Sequence, residues 1–266
     1  MTSYPDLLAT ACRAMDIARE MFLTHSPGQL TAKGDRDMAS EVDYAIERRL
    51  AAYLRTATPD IGFLGEEDGN RGEPTELTWA LDPVDGTVNF IHGSPLCGIS
   101  LALIQDRSPV VGVVDLPHLN LRYTASLGAG AYCGDKRLAV STAATLAEAV
   151  VAIGDYAVGP DAAEKNRVRL AITQRLAASA QRVRMHGSAA IDLVWLAEGR
   201  IDGVIMMSNN PWDTAAGVII AREAGAYVAD RDGTAHTRES RATIAANPTL
   251  LPALIEIVTE ASAAPA

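Results

Sequence analysis

Residues 81–87 of the 266-residue chain read Leu-Asp-Pro-Val-Asp-Gly-Thr and close an apolar run. Pro83 fixes one backbone dihedral angle and lacks an N–H, so it can hold Asp82 and Asp85 in a rigid turn that leaves the Val84 carbonyl free. Two carboxylates packed this closely repel one another unless a cation lies among them. This stretch therefore predicts a metal site at the end of a strand.

Two further carboxylates occupy comparable positions. Glu66 follows the apolar run Ile61–Leu64, and Asp213 follows Trp212 at the start of a predicted helix. Four carboxylates suffice for two metal ions, with Asp82 as the natural bridge, and two such ions can clamp a phosphate oxygen and activate water. Oxygen ligands without His or Cys favour Mg²⁺ or Mn²⁺ over Zn²⁺ or Cu²⁺. The pattern predicts metal-dependent hydrolysis of a phosphate ester.

The residues after Asp85 predict where a phosphate and an attacking water would lie. Gly86 and Thr87 begin a short helical turn, whose free N–H groups form an anion site. The Thr87 hydroxyl could orient a metal-bound water, and Asp43, in an earlier predicted helix, could take its proton. Singly, such residues are usually turn residues, solvated acids or helix caps. Their joint occurrence, in this order, favours a catalytic site.

The predicted elements change character near residue 145. Residues 1–145 combine amphipathic helices with short strands, which is typical of an α+β region, whereas strands alternate with helices over residues 146–266. We therefore expect one domain of two intimate halves, folded as an α/β layered sandwich of helices and sheets. The predicted helices span residues 5–22, 39–56, 161–178, 189–197, 212–224 and 250–260. The predicted strands span residues 61–64, 79–81, 98–104, 110–115, 122–126, 129–133, 150–153, 183–185 and 204–207.

The composition argues against binding to nucleic acid or to membranes. The net charge is −10 and the pI is about 5.0, so the chain offers no field that attracts polyanions. Charged residues interrupt Met1–Phe22, which does not fit a signal peptide, and no segment approaches the roughly 20 apolar residues of a membrane span. Three widely spaced cysteines fit reduced thiols, so we expect a cytoplasmic protein.

These segments closely resemble the inositol monophosphatase family over nearly the whole chain. The most specific part is residues 82–90, Asp-Pro-Val-Asp-Gly-Thr-Val-Asn-Phe. Further agreement comes from Glu41–Asp43, Gly65–Glu67, Gly128–Tyr132, Leu138–Ser141, Gly187–Ala190 and Trp212–Asp213. The resemblance implies a five-layered αβαβα sandwich of the inositol monophosphatase and fructose-1,6-bisphosphatase type. It also implies a homodimer and an activity that lithium commonly inhibits.

The resemblance assigns a role to each matching residue. A first Mg²⁺ would bind to Glu66, Asp82 and the Val84 carbonyl, and a second to Asp82, Asp85 and Asp213. A weaker third ion would lie near Glu66 and a mobile loop around Lys33–Asp37. The catalytic residues would be Asp43, Thr87 and Glu66. The substrate would contact Gly86, Thr87, Gly187, Ser188, Ala189 and Asp213.

One position departs from the family pattern. Many inositol-specific members carry a glutamate seven residues before the Trp-Asp aspartate, and this chain has Met206 there. A thioether cannot accept hydrogen bonds as a carboxylate does, although Met206 could equally be a core residue of its strand. The expected substrate is inositol 1-phosphate or a similar small phosphorylated polyol or sugar.

Several alternatives remain open at this point. Histidinol phosphate and fructose 1,6-bisphosphate are other candidate substrates. A third, 3′-phosphoadenosine 5′-phosphate, ranks lower because Val88 stands where its phosphatases usually carry lysine. A different class is a non-catalytic relative that binds RNA or a transcription complex, against which the acidic charge and the complete set of ligands both argue.

Overall fold

Two β-sheets alternate with three layers of helices in the computed structural model, which describes residues 3–34, 37–71 and 75–263. The helices are α1 (Tyr4–Thr24), α2 (Glu41–Ala57), α3 (Thr87–Ile91), α4 (Ala162–Ser179), α5 (Ala189–Ala197), α6 (Pro211–Glu223) and α7 (Leu251–Ala263). The first ten strands are β1 (Leu30–Gly34), β2 (Asp37–Ser40), β3 (Gly62–Gly65), β4 (Asn70–Arg71), β5 (Leu77–Asp85), β6 (Gly98–Gln105), β7 (Ser108–Leu116), β8 (Leu121–Ser126), β9 (Gly130–Cys133) and β10 (Lys136–Arg137). The remaining strands are β11 (Val150–Ile153), β12 (Arg182–Arg184), β13 (Gly203–Met206), β14 (Tyr227–Ala229) and β15 (Thr243–Ala246).

The layers follow the order α1/α2, large sheet, α5/α6, small sheet, α4/α7. The large sheet has the strand order β10-β9-β8-β7-β6-β5-β3-β4 and is antiparallel except where β3 pairs with β5. In the small sheet, β12-β11-β13-β15-β14, the strands β12, β11 and β13 are parallel, and β15 runs antiparallel to both of its neighbours. This arrangement confirms the expected αβαβα sandwich.

Three apolar layers fill the spaces between these sheets and helices. Trp79 lies between α1/α2 and the large sheet, Val218 lies in the central layer, and Leu254 lies between the small sheet and α4/α7. Gly112 on β7 shows how closely α6 approaches the large sheet, since a Cβ atom there would lie 2.7 Å from the Ala216 carbonyl oxygen. The close packing fixes the position of α6, which carries Asp213.

The predicted helices agree with the structure to within about three residues at either end, the usual disagreement at helix ends being one or two. The predicted strands are also present, and β6 to β9 form the expected antiparallel run. The α/β pattern of the second half was incomplete, because β14 and β15 were not predicted. These two strands lie beyond α6, where short apolar runs are interrupted by Gly225 and Gly233 and show no clear period.

The segment Lys33–Asp37 was predicted to be a mobile loop, and this was wrong for its ends. Lys33 and Gly34 belong to β1, and Asp37 begins β2, which pairs with β1 as an antiparallel hairpin. Residues 35 and 36 lie outside the described residues. All five residues of β1 are exposed, so no buried face left a period-two pattern in the sequence. Within the described ranges, no helix combines the length and apolar character of a membrane span.

Candidate active site

The pairing of β3 with β5 brings two of the predicted carboxylates together. Gly65 pairs with Leu81, and the Glu66 N–H donates to the Leu81 carbonyl at 3.2 Å, so Glu66, just after β3, lies next to the part of β5 that carries Asp82. A register shift between Asp82 and Asp85 bends the end of β5 at Pro83. The sequence predicted a rigid turn here, and the structure has an irregularity within the strand at the same point.

The start of α6 adds the fourth carboxylate. The Ser100 hydroxyl of β6 donates to the Trp212 carbonyl at 3.2 Å, which ties the first turn of α6 to the large sheet. Asp213 accepts the Asn210 N–H at 2.7 Å and so forms part of a capping box. Asp213 is the third residue of α6, a position typical of a capping residue. This is why the sequence alone was compatible both with a helix cap and with a metal ligand.

The electrostatics of this group call for a positive charge. Burial raises the pKa of Asp82 well above its ordinary value, and the charges of Glu66, Asp85 and Asp213 raise it further. Burial is also the largest cause that raises the pKa of Asp85 and of Asp213 to about 7. Near neutral pH, these carboxyls must either keep protons or gain a counter-ion.

As arranged, no three His, Cys, Asp or Glu side chains in residues 3–34, 37–71 and 75–263 enclose a metal ion. Each carboxylate instead accepts a hydrogen bond from its surroundings. Asp82 accepts the Val84 N–H at 3.0 Å, and Asp85 accepts the Ser188 hydroxyl and the Ala190 N–H. The donor set consists of hard oxygens, which fit a divalent cation once these side chains turn toward one point.

Lys33 supplies a positive charge close to Glu66. Its ammonium nitrogen lies 2.6 Å from Glu66 Oε1 and 2.9 Å from Glu67 Oε1. Burial is the largest single effect and lowers the pKa of Lys33, but the charges and hydrogen bonds of Glu66 and Glu67 together outweigh it and raise the pKa. The sequence analysis named Lys33 only as part of a loop. Its ion pair with a predicted metal ligand is a new feature of the site.

Glu47 holds the chain segment that carries Glu66. This fully buried residue of α2 accepts the N–H groups of Glu67 at 2.8 Å and Asp68 at 2.9 Å. Glycine at position 65 leaves room for the Glu47 side chain. A Cβ atom at this position would lie 2.3 Å from the Glu47 carboxyl carbon. The sequence analysis missed Glu47, although a glutamate within the apolar stripe of a predicted helix was a signal for a buried acid.

The predicted water-activating pair is within hydrogen-bonding reach. Thr87 Oγ1 lies 3.3 Å from Asp43 Oδ1 and 2.9 Å from the Val84 carbonyl oxygen, to which it can also donate. Asp43 is buried and forms a capping box with Ser40, whose N–H and hydroxyl both donate to it. Burial raises the pKa of Asp43. A carboxyl of raised pKa is better suited to accept a proton.

The predicted phosphate contacts surround the start of α3. Gly86 has a φ of +82°, which favours glycine, and a Cβ atom there would lie 3.1 Å from the Gly187 carbonyl oxygen. Asn89 Nδ2 donates to the carbonyls of Leu96 and His186, each at 2.7 Å, and so holds α3 against the loop before α5. Sequence reasoning missed Asn89, although it lies within the most specific motif.

The loop before α5 meets the same corner. Ser188 is the N-cap residue of α5, and its hydroxyl accepts the Ile191 N–H at 3.2 Å. The Ser188 hydroxyl and the Ala189 N–H both donate to Asp85. Ser188 and Ala189 were predicted to line the alcohol side of the pocket, and the structure additionally places their donors on a predicted metal ligand.

A cavity of about 630 Å³ opens beside this corner. Its wall includes Asp85, Asp213 and residues 187–189, and its far side includes Met206. Met206 is 3% exposed and packs in the central apolar layer, so both interpretations of the residue hold in part. It is a core residue of β13, and its side chain also forms part of the cavity wall.

The layered αβαβα fold and the carboxylates beside a cavity define one structural class. The chain matches the model of the inositol monophosphatase family over residues 5–263 and belongs to that family. It is 36% identical over 253 residues to the inositol-1-monophosphatase ImpA of Mycolicibacterium smegmatis, covering 95% of this chain and 91% of the relative.

Other relatives carry a different name. The chain is 35% identical over 257 residues to the putative Nus factor SuhB of Neisseria meningitidis serogroup B, covering 94% of this chain and 97% of the relative. The crystal structure of the extragenic suppressor protein suhB from Bartonella henselae superposes with a TM-score of 0.89 at 31% identity. That match covers 96% of this chain and 99% of the Bartonella chain. The chain therefore belongs to a family whose members carry names of two kinds, inositol-1-monophosphatase and Nus factor.

Proposed function

We propose that the protein is a phosphatase that depends on Mg²⁺ and hydrolyses a small phosphate monoester of a polyol or sugar. The observation that carries this proposal is that the charges of Glu66, Asp85 and Asp213 all act on the buried Asp82, and that Asp85 and Asp213 also line a cavity. Such a group is costly to keep in a fold unless a cation offsets it. Membership in the family and the name of the mycobacterial relative support the same conclusion.

The chain's own residues would hold two or three Mg²⁺ ions, with Mn²⁺ as a possible substitute. Glu66, Asp82 and the Val84 carbonyl would hold one ion, and Asp82, Asp85 and Asp213 a second. A third would lie near Glu66, where Lys33 forms its ion pair. When bound, the ions supply Lewis-acid stabilisation of the phosphate and of the leaving alkoxide.

The remaining residues would position the reactants. Thr87 would orient the attacking water, and Asp43 would accept a proton from it. Glu66 would be the third catalytic residue and would act as a metal ligand. The N–H groups of Gly86 and Thr87, at the start of α3, would bind the phosphate. Gly187, Ser188 and Ala189, with Asp213, would line the alcohol side of the cavity. The proton would pass over the 3.3 Å between Thr87 Oγ1 and Asp43 Oδ1.

Inositol 1-phosphate or a similar polyol phosphate is the proposed substrate. Met206 leaves one wall of the cavity without the hydrogen-bond acceptor that a carboxylate would offer. We therefore expect inositol 1-phosphate to be favoured over glycerol 2-phosphate by no more than about tenfold, since a hydrogen bond is worth about one kcal/mol and 1.4 kcal/mol is one decade. Histidinol phosphate and fructose 1,6-bisphosphate remain the alternative substrates.

A second candidate function is association with a transcription complex. The name of the meningococcal relative, a putative Nus factor, favours it. The net charge of −10 gives no support to direct binding of RNA. We propose instead a cytoplasmic homodimer that acts as an enzyme, without contact with nucleic acid or membranes.

A panel of phosphate esters tests this proposal. Release of inorganic phosphate would be measured for inositol 1-phosphate, glycerol 2-phosphate, histidinol phosphate and fructose 1,6-bisphosphate, with Mg²⁺, with EDTA, and with Mg²⁺ plus lithium. We expect turnover that requires Mg²⁺ and falls with lithium. Absence of turnover for every ester, together with co-purification of transcription proteins, would favour the second candidate.

A further inference from the structure

Arg169 is a buried cation on the wall of the candidate cavity. It lies on the inner face of α4 and is 8% exposed. Its Nη2 donates to the Ser208 hydroxyl at 2.8 Å, whereas its Nη1 is buried and has no hydrogen-bond partner. No carboxylate of the described residues forms an ion pair with it. A buried guanidinium with unused donors is costly, so this arrangement calls for an anion.

Two further cations line the same cavity. Lys165 lies one turn before Arg169 on α4, and Arg231 follows β14. Both side chains are exposed and can reach a ligand without rearrangement of the core. The lining of this cavity therefore contains three cations, of which Arg169 is the buried one.

None of the four acidic residues that line this cavity forms an ion pair with Arg169. Asp85 and Asp213 belong to the proposed metal site, and Asp192 lies 2.5 Å from His186 Nδ1. Asp155 is the remaining carboxylate in the described wall; it is exposed and close enough to act on Arg169 electrostatically. Asp161, Glu164 and Asp232, all exposed, border a neighbouring cavity together with the same three cations, but none of them forms an ion pair with Arg169.

We propose that Arg169, Lys165 and Arg231 form a second anion subsite, so that among small polyol and sugar phosphates the protein prefers those with a further phosphate or carboxylate group besides the phosphate that is cleaved. The inference rests on the proposed function, because the cleaved phosphate is placed at the carboxylate end of the same cavity. A planar guanidinium suits the paired oxygens of either group, and Arg169 retains one terminal nitrogen, Nη1, without a partner. Recognition of a second anion by these cations would also explain why the cavity has Met206, which accepts no hydrogen bond from a substrate hydroxyl, among its lining residues.

Matched pairs of esters test the subsite. Fructose 1,6-bisphosphate and fructose 1-phosphate differ by one phosphate, and 3-phosphoglycerate and glycerol 3-phosphate differ by one carboxylate. We expect kcat/KM to be higher for the doubly anionic member of at least one pair by about tenfold to a hundredfold, the usual range for hydrogen bonds to charged groups. A preference in the fructose pair alone identifies phosphate, and a preference in the glycerate pair identifies carboxylate.

Four variants assign that preference to residues. Lys165→Met and Arg231→Met change exposed side chains and should each lower kcat/KM for the doubly anionic ester while leaving its partner nearly unchanged. Arg169→Met should remove most of the preference, and Arg169→Lys should restore part of it. Arg175→Met is the control, because Arg175 lies on the same helix but pairs with Glu260 away from the cavity.

Two results would overturn the subsite while leaving the proposed function intact. One is equal kcat/KM within both pairs, and the other is an Arg169→Met variant that is folded and loses activity equally on both members of a pair. If no ester is hydrolysed with Mg²⁺, the proposed function fails, and calorimetric binding of the same pairs decides the subsite. A preference that depends on Arg169 would then support it, and equal affinities would overturn it.

Discussion

At the scale of single residues, the site depends on where protons reside. Asp43 and Thr87 face each other across 3.3 Å, and neither belongs to the proposed ligand set. Asp43→Asn and Thr87→Ala should therefore each lower kcat by about 10²–10⁴-fold, the usual contribution of general acid–base catalysis, while the Mg²⁺ requirement stays close to that of the wild type. Steady-state kinetics at several Mg²⁺ concentrations separate the two effects. Recovery of full kcat at high Mg²⁺ would assign the residue to the metal site instead.

The raised pKa values of the carboxylates predict how the metal-free protein responds to pH. Asp85 and Asp213 have pKa values of about 7 in the fold, against 3.8 for an unperturbed aspartate. The folded state therefore binds protons more readily than the unfolded state between these values, so the stability that these groups contribute is lost as pH rises through 7. His236 opposes the trend at lower pH, because burial lowers its pKa from 6.5 to about 4.

Thermal unfolding in EDTA measures this response. Tm should rise between pH 8 and pH 6.5, by about 2–4 °C for each kcal/mol in a chain of this size. Saturating Mg²⁺ should weaken or reverse the trend, because protons and the ion compete for the same oxygens. A metal-free Tm that stays flat or falls over this interval would show that the carboxylates do not repel one another as described.

At the scale of elements, α2 supports the site from behind β3. Glu47 accepts two N–H groups of the segment that carries Glu66. Glu47→Gln should loosen that segment and raise the Mg²⁺ concentration needed for half-maximal activity by about tenfold or more, as is typical when a partner behind a metal ligand is changed. Glu41→Gln, an exposed change on the same helix, is the control. A lower Tm with an unchanged Mg²⁺ requirement would limit Glu47 to a structural role.

Elements with a strong period were the ones that the sequence predicted well. The apolar residues of α1 and of the run Val150–Ile153 are largely buried in the structure, so the apolar pattern in the sequence was enough to predict both elements. The hairpin β1–β2 lacked such a pattern because β1 is exposed along its length. Met206 shows the limit in another way: strand parity places it in the central layer, but the sequence could not tell that the layer opens into a cavity at that point.

At the scale of the whole molecule, the fold joins distant residues at one corner. Asp43, Glu66, Asp82 and Asp213 come from three layers, and their action as one site remains a prediction from the sequence. Glu47, Lys33 and Arg169 were not predicted, because their importance depends on which backbone groups, carboxylates or empty space lie beside them. The division of the chain near residue 145 remains a prediction.

The central claim is that carboxylates at the ends of β3 and β5 act with Mg²⁺ to hydrolyse a phosphate ester, and Asp82→Asn tests it most directly. The measurement is phosphate release from inositol 1-phosphate at saturating Mg²⁺, for the wild type and for the variant. The side chain keeps its shape, so the variant should fold, and its metal-free Tm should equal or exceed that of the wild type because one repelling charge is gone. We expect a Mg²⁺-dependent wild type and a variant with less than about one hundredth of its rate, in line with a loss of at least 2.7 kcal/mol of transition-state stabilisation. A folded variant that keeps more than about a tenth of that rate would contradict the account, because losing only one decade corresponds to about 1.4 kcal/mol.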